Sequence, residues 1–354
     1  MTGPRKILVL QTAFVGDVVL ALPLVQVLRK LYPSSPVDFL AAPRASGLLE
    51  NHPDVRKVHV FDKRGVDSGL LGIMSMARRI KHEKYDVVFV PHRSFRSALL
   101  ARLSGISRRI GFDKSAGRYL FTSLITYDTS VHEIERDLKL ITALGVAWCG
   151  RELPSLYPDE EDRAQVRRFL VEHEVSDSDR LIAIAPGSVW NTKRWPKDRF
   201  VQLIQLFIHD DYEVVLVGGE ADAGLCADIV RSVRMKEVYD AAGKMSLLQS
   251  AELVRRSKLL VTNDTAPMHM AVAVRTPVVA IFGPTVPSFG FNPYGDHDRV
   301  VETKGLSCRP CSIHGSAKCP IGTFECMLDI EARDVYSQAQ GAIQEPAVNA
   351  RRMT

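Results

Sequence analysis

The stretch that most restricts what this chain can fold into is LLVTNDTAPMHMAVAVRTPVVAIFGPT, residues 259–285. Two short runs in it, 259–262 and 278–282, are almost wholly apolar, as parallel strands covered on both faces are. They lie one crossover helix apart, and a Gly-Pro turn follows the second. The stretch therefore reads as a β-α-β unit. Its helix is expected to open near Asp264, where Asn263, Asp264 and Thr265 can cap the first turn. The same helix end has unsatisfied N–H groups and the positive end of the dipole, which together suit an anion such as a phosphate. Spacing alone leaves the capping and the anion-binding readings both open.

The rest of the chain extends that pattern in both directions. KILVLQ (6–11), a loop and an apolar helical run make a Rossmann-like opening, with Asp17 at the junction of loop and helix. Asp17 caps that helix or projects a carboxylate into the crevice beyond the strand ends. Strands are expected at 37–42, 55–61 and 85–91, with helices at 44–51, 68–83 and 131–145 between and after them. HRSFRSALLARLSGISRRIGFD reads as a helix bearing Arg93, Arg96 and Arg102, with Arg108 and Arg109 before a turn. Such arginines form a solvated face or a basic lip for an acidic substrate. The period breaks at VAWCGRELPSLYPDEED, which reads as a linker. Beyond it come strands at 181–186 and 213–219 and helices ending near 209, over 220–234 and over 245–258. The fold class is α/β, with two doubly wound parallel-sheet domains facing across a cleft. The expected domains are 1–155, 156–330 and a tail, 331–354, with a C-terminal helix.

At 354 residues, 46% hydrophobic and 25% charged, the chain has material for two such cores. A net charge of +5 fits an anionic small substrate or an acidic membrane surface and falls short of a dedicated nucleic-acid binder. The first apolar run is interrupted by Gln11, Thr12, Gly16 and Asp17, and no uninterrupted apolar stretch of about 18 residues occurs. A cytoplasmic protein, peripheral at most to a membrane face, is expected.

Three loops at strand ends hold the candidate chemistry: 12–17, 186–196 and 263–269. Lys193 and the helix opening at Asp264 could share one diphosphate, although Lys-Arg before Trp-Pro is also an ordinary solvated loop. His269 reads most simply as a satisfied, partly buried residue, and the Asp177-x-Asp179 pair as a solvated turn. Cys308, Cys311, Cys319 and Cys326 suggest a structural zinc site, a reduced loop-stabilising cluster or a disulfide; the second spacing is wide for a zinc ribbon.

Taken in order, KILVLQTAFVGDVVLALP, HEIERDLKLITALG, PGSVWNTKRWP, LVGGEAD, GKMSLLQSAELVRRSKLLVTNDTAPMHMA and AIFGPTVPSFGF resemble the bacterial lipopolysaccharide heptosyltransferases of glycosyltransferase family 9. The resemblance implies a GT-B architecture with its C-terminal helix packing back toward the first domain. It implies an inverting, metal-independent transfer of heptose from ADP-heptose to a lipid A–Kdo–heptose acceptor at the inner membrane, with no cofactor. By the same resemblance Asp17 is the base, and Ser188, Lys193, Asp264, Thr265 and His269 meet the donor. Met245 then lies beside the adenine, and Glu220 or Asp222 contacts the ribose. Thr12, Arg93 and Arg96 are the acceptor contacts, the arginines from charge alone. Within the family a first-heptose or later core transferase is the alternative. Outside that activity stand a nucleotide-sugar 2-epimerase on the same fold and a non-catalytic nucleotide-sugar-binding protein.

Overall fold

The computed structural model describes residues 3–175 and 180–344; the pair Asp177 and Asp179 lies outside them. The chain divides into two compact units between Tyr157 and Pro158. Each unit is built on one six-stranded sheet in which every pairing is parallel.

The first sheet comprises β1 (Ile7–Leu10), β2 (Val37–Ala41), β3 (Lys57–Val60), β4 (Val87–Val90), β5 (Arg108–Phe112) and β6 (Ser123–Ile125), in the order 3-2-1-4-5-6. The second comprises β7 (Leu181–Ala185), β8 (Glu213–Leu216), β9 (Val238–Asp240), β10 (Leu259–Asn263), β11 (Val278–Phe282) and β12 (Arg299–Glu302), in the order 12-11-10-7-8-9. Counted from its own first strand, the second unit repeats the order of the first. The strands at the centre of each sheet, β1, β2 and β4 in one and β7, β10 and β11 in the other, are buried along their whole length, because helices cover both faces. The fold is α/β and GT-B-like.

Four strands escape the sequence pattern. β5 carries Arg108 and Arg109, expected before a turn, and its apolar half is only Ile110–Phe112. β6, β9 and β12 are short edge or near-edge strands of three to four residues with partly exposed side chains, so no buried apolar run announces them. The segment 131–145 is not one helix: it runs as Glu133–Lys139 and tightens to a 3-10 turn over Leu140–Leu144, closed by left-handed Gly145. The C-terminal helix is Ala332–Gln344. Its apolar stripe, Val335, Ala339 and Ala342, is buried in the second unit's core with Phe200, Ile204 and Phe207 of the helix Lys197–His209. Among the described residues no helix is long and apolar enough to cross a membrane.

Candidate active-site residues

In an open doubly wound sheet, ligands gather beyond the carboxyl ends of the two strands where the order reverses. Here those are β1 and β4 in the first unit and β7 and β10 in the second. Thr12, Asp17, Arg93, Arg96, Ser188, Lys193, Asp264, Thr265 and His269 follow these four strands, whereas Glu220 and Asp222 follow β8 and Met245 follows β9.

In the first unit the loop after β1 turns into the helix Val15–Leu31. Asp17 is the third helical residue, not the N-cap, and its carboxylate reaches back to accept the Phe14 N–H at 3.0 Å. Desolvation is the largest influence on it and, with the nearby negative charge of Glu133, outweighs that hydrogen bond and Arg93, so its pKa is raised to about 6. The loop after β4 brings His92 and Arg93. His92 Nδ1 lies 3.2 Å from the Thr12 hydroxyl and 2.9 Å from that of Ser97, and burial beside Lys63 and Arg93 lowers its pKa to about 4. This imidazole is neutral at physiological pH and serves as a hydrogen-bonding wall. Arg93 stacks on the Tyr127 ring, 4.1 Å from its centroid.

Arg96 is used differently. Its guanidinium donates to the Lys63 carbonyl at 2.9 Å, and the Lys63 ammonium donates to the Thr12 carbonyl at 2.6 Å. Arg96 thus holds a loop, and Lys63 is the cation that loop delivers beside Asp17.

Behind them is a buried group that the sequence reading missed. The Tyr127 hydroxyl donates to Glu133 at 2.8 Å, and Arg136, 1% exposed, donates to Glu133 at 2.6 Å and to the Tyr127 oxygen at 2.9 Å. Asp137 is fully buried, with an Oδ1 that has no hydrogen-bond partner. Burial and then the charges of Glu133 and Asp17 hold its pKa well above the usual carboxylate range. The only sequence signal for this group was an unusually charged helix, HEIERDLK, whose polar residues face inward.

In the second unit the loop after β7 passes through a 3-10 turn at Asn191–Lys193. It is pinned from several sides. Asn263 at the end of β10 donates to the Pro186 carbonyl at 2.8 Å and accepts the Trp195 N–H at 3.1 Å. Arg194 donates to the Ser188 carbonyl, and Thr192 exchanges hydrogen bonds with the Ser316 backbone. Lys193 is delivered onto Asp264, 2.6 Å from Oδ2 and 3.1 Å from the carbonyl oxygen. The other partner of that carboxylate is Thr285, in the turn after β11, whose hydroxyl donates at 2.7 Å.

The expectation that Asn263, Asp264 and Thr265 cap the next helix is corrected. The helix is Ala266–Ala273, Thr265 occupies the N-cap with no side-chain cap bond, and its hydroxyl points back to the Asn263 carbonyl. Asn263 and Asp264 are engaged elsewhere, and the N-cap side chain leaves this helix end uncapped. His269 is buried on that helix and Ser188 is buried with its hydroxyl accepting the Trp190 N–H.

The two acids proposed for a ribose separate clearly. Asp222 accepts the Gly219 N–H at 3.1 Å and packs where a side chain on Gly187 would meet its Oδ1 at 2.1 Å. Glu220 is exposed at the start of the 3-10 turn Glu220–Asp222. Met245 is half-buried just before the helix Leu247–Arg256.

Of the three readings open for the cysteines, the reduced one fits the structure. All four cysteines are free thiols, and among the described residues no three His, Cys, Asp or Glu side chains converge as metal ligands. Cys311 donates to the Cys308 carbonyl, and Cys326 is buried in the second core. Cys319 is turned into its own loop, where the N–H groups of residues 321–324, Phe324 foremost, favour its thiolate and lower its pKa. The loop's contacts are instead with its neighbours: Arg309 donates to the Thr285 carbonyl at 2.8 Å and to Glu302 at 2.9 Å, fixing the turn that carries Thr285.

Comparison with known proteins gives the family. The chain is 27% identical over 296 residues to lipopolysaccharide heptosyltransferase 2 of Escherichia coli K12, covering 80% of this chain and 84% of that protein. A glycosyltransferase family 9 structure from Veillonella parvula superposes with a TM-score of 0.87 at 27% identity, over 97% of this chain and 98% of that one. The E. coli ADP-heptose LPS heptosyltransferase II structure gives 0.78 at 25%, over 96% and 98%. The profile of glycosyltransferase family 9 (heptosyltransferase) matches residues 73–320, more than half of the sequence, and the chain belongs to that family of enzymes.

Proposed function

We propose that this glycosyltransferase moves L-glycero-D-manno-heptose from ADP-heptose onto the heptose of a lipopolysaccharide inner core, the second heptose of that core. The observation that carries the reading is Asp17, a carboxylate at the first unit's switch point with a pKa near 6. Such a group is ionised at neutral pH and still basic enough to take a proton as a sugar hydroxyl attacks, a contribution of roughly 10² to 10⁴ in rate. Arg93 and Lys63 beside it suit the carboxylates and phosphates of an inner-core acceptor, and Thr12 lines the same loop.

The second unit would take the donor. Lys193 would leave Asp264 for the diphosphate, and the positive end of the helix Ala266–Ala273 would meet the same charge. Asp264 would stay ordered through Thr285. Ser188, Thr265 and His269 would line the phosphates and sugar, Met245 the adenine and Glu220 the ribose. Lys193 and the helix end together supply positive charge for the departing ADP, so the reading requires no metal ion and no cofactor. The names of the relatives support the donor and the step; a first-heptose or later core transferase differs only in acceptor.

The test is ADP release in EDTA by wild type and Asp17→Asn with mono-heptosylated and heptose-free Kdo2-lipid A. Release only with the mono-heptosylated acceptor, lost in Asp17→Asn while ADP-heptose still binds, is the expected result. Release with the heptose-free acceptor moves the protein to the first step, and none with either removes the proposal.

A further inference from the structure

The first unit carries an apolar patch that its core does not use. Val66 is 91% exposed, Leu71 80%, Leu70 60% and Met74 37%. Val66 stands at the tip of the loop after β3, and the other three lie on the first turns of the helix Gly69–His82. The opposite face of that helix, Ile73, Met76, Ala77 and Ile80, is buried in the first unit's core. At 100° per residue, Leu70, Leu71, Met74, Arg78 and Lys81 fall on one outward arc. Apolar side chains occupy the N-terminal end of that arc and cations the C-terminal end.

The patch is held in a fixed shape. Asp62 and Asp67 close the loop on itself: Asp67 N–H donates to the Asp62 carbonyl, and the Asp62 N–H donates to the Asp67 carboxylate at 3.0 Å. Gly72 lets the loop lie against the helix, since a Cβ there would sit 2.1 Å from the Asp67 carbonyl. Asp67 is neutralised by Arg79 at 2.8 Å, while among the described residues Arg64, Arg78 and Lys81 make no ion pair. Three cations without an ion pair thus stand beside the exposed apolar residues, against one further carboxylate on the same loop, Asp62, which accepts the Arg64 and Gly65 N–H groups.

We infer that the loop tip at Val66 and the outer face of the helix Gly69–His82 dock onto the surface of an anionic phospholipid bilayer. Leu70, Leu71, Met74 and Val66 would enter the headgroup boundary, and Arg64, Arg78 and Lys81 would meet anionic headgroups. Charge complementarity decides for this occupant. A second copy related by a two-fold axis would set the same cations against one another, and a convex tip of flexible aliphatic residues offers no groove for a peptide. The root of the docking loop is Lys63, bonded to the Thr12 carbonyl. Docking would thus place the bilayer at the loop next to Asp17. The inference deepens the transferase reading by naming where the enzyme meets a surface carrying a lipid-linked acceptor.

The test needs no acceptor, so its failure is distinct from failure of that reading. Full-length protein is floated with vesicles of phosphatidylcholine alone or mixed with phosphatidylglycerol. The wild type is compared with Leu70→Ser/Leu71→Ser and with Arg64→Ser/Arg78→Ser/Lys81→Ser, each first checked for unchanged melting temperature and unchanged near-ultraviolet dichroism. Expected are salt-sensitive flotation of wild type with the mixed vesicles only and at least a tenfold lower partition for each variant. Wild type that stays with the unbound fraction, or variants that float as wild type does, would overturn the inference. So would concentration-dependent self-association without vesicles that the leucine variant abolishes, which would assign the patch to a second copy.

Discussion

Asp17→Asn should remove activity and stabilise the protein at once, and the size of the second effect follows from the site. Folding raises the Asp17 pKa from 3.8 to about 6, which is a cost to the ionised native state of about 3 kcal/mol at 1.36 kcal/mol per unit. Asparagine does not incur that cost. It retains an acceptor for the Phe14 N–H, and the stronger hydrogen bond of the carboxylate is already contained in the net shift. The net gain at pH 8 is about 3 kcal/mol, or roughly 6–12 °C in the transition of a unit of this size. The sign with pH is fixed by the direction of the shift. Between the unfolded and folded pKa values the native state binds the extra proton, so wild type becomes more stable as pH falls through 6 while the variant is indifferent. From pH 8 to pH 5 the advantage of the variant should shrink by about 1.4 kcal/mol. The assay is thermal unfolding followed by near-ultraviolet dichroism at both pH values, beside ADP release. Wild-type kcat/KM should rise with pH and level off above about 6 to 7. A variant no more stable than wild type at pH 8, or one whose advantage does not change with pH, would show that the carboxylate is not held ionised against its desolvation.

Three further outcomes are expected. Lys193→Met should weaken ADP binding, read by calorimetry, by roughly 10- to 150-fold, the equivalent of a charge-assisted hydrogen bond of about 1.5–3 kcal/mol. Thr285→Val should raise the donor KM about tenfold with kcat little changed, because Asp264 loses the partner that remains when Lys193 turns to the ligand; Thr285→Ser should restore it, and equal loss in both would point to packing instead. Arg93→Ala should raise acceptor KM at least several-fold and move the acid limb of kcat/KM to higher pH, because Arg93 lowers the Asp17 pKa. Arg96→Ala should leave that limb in place and expose the Lys63 loop to proteolysis.

The strands at the centre of each sheet were legible because parallel strands covered on both faces leave an unbroken apolar run, and β11 matches its run residue for residue. The edge strands were not, since Arg299–Glu302 has charge at both ends and only partial burial. Asp17, Lys193 and Asp264 could be placed because they stand next to strand ends whose order implies a crevice. Their partners could not. Thr285, Lys63, Tyr127 and Arg136 come from other strands and helices, and nothing in one-dimensional spacing states which turn meets which. The capping expectation failed for a related reason: a side chain next to a helix start is free to serve any neighbour, and Asn263 serves Trp195 and Pro186 instead. The cysteines left three readings open because a spacing constrains which thiols can meet but not where each turns, and Cys319 turns toward its own backbone.

The repeated strand order has a consequence for how such an enzyme changes over time. Each half keeps its polar loops on the corner of its own sheet, and each corner is braced by side chains of the same half. Arg96 and Lys63 brace one, Asn263 and Arg309 the other. Substitutions drawn one from each set share no partner, so their free-energy effects should sum. With the acceptor on the first unit and the donor on the second, as proposed above, a lineage can exchange the residues that recognise one substrate while those for the other stay as they are. Novelty in what is glycosylated requires no renegotiation of what is donated.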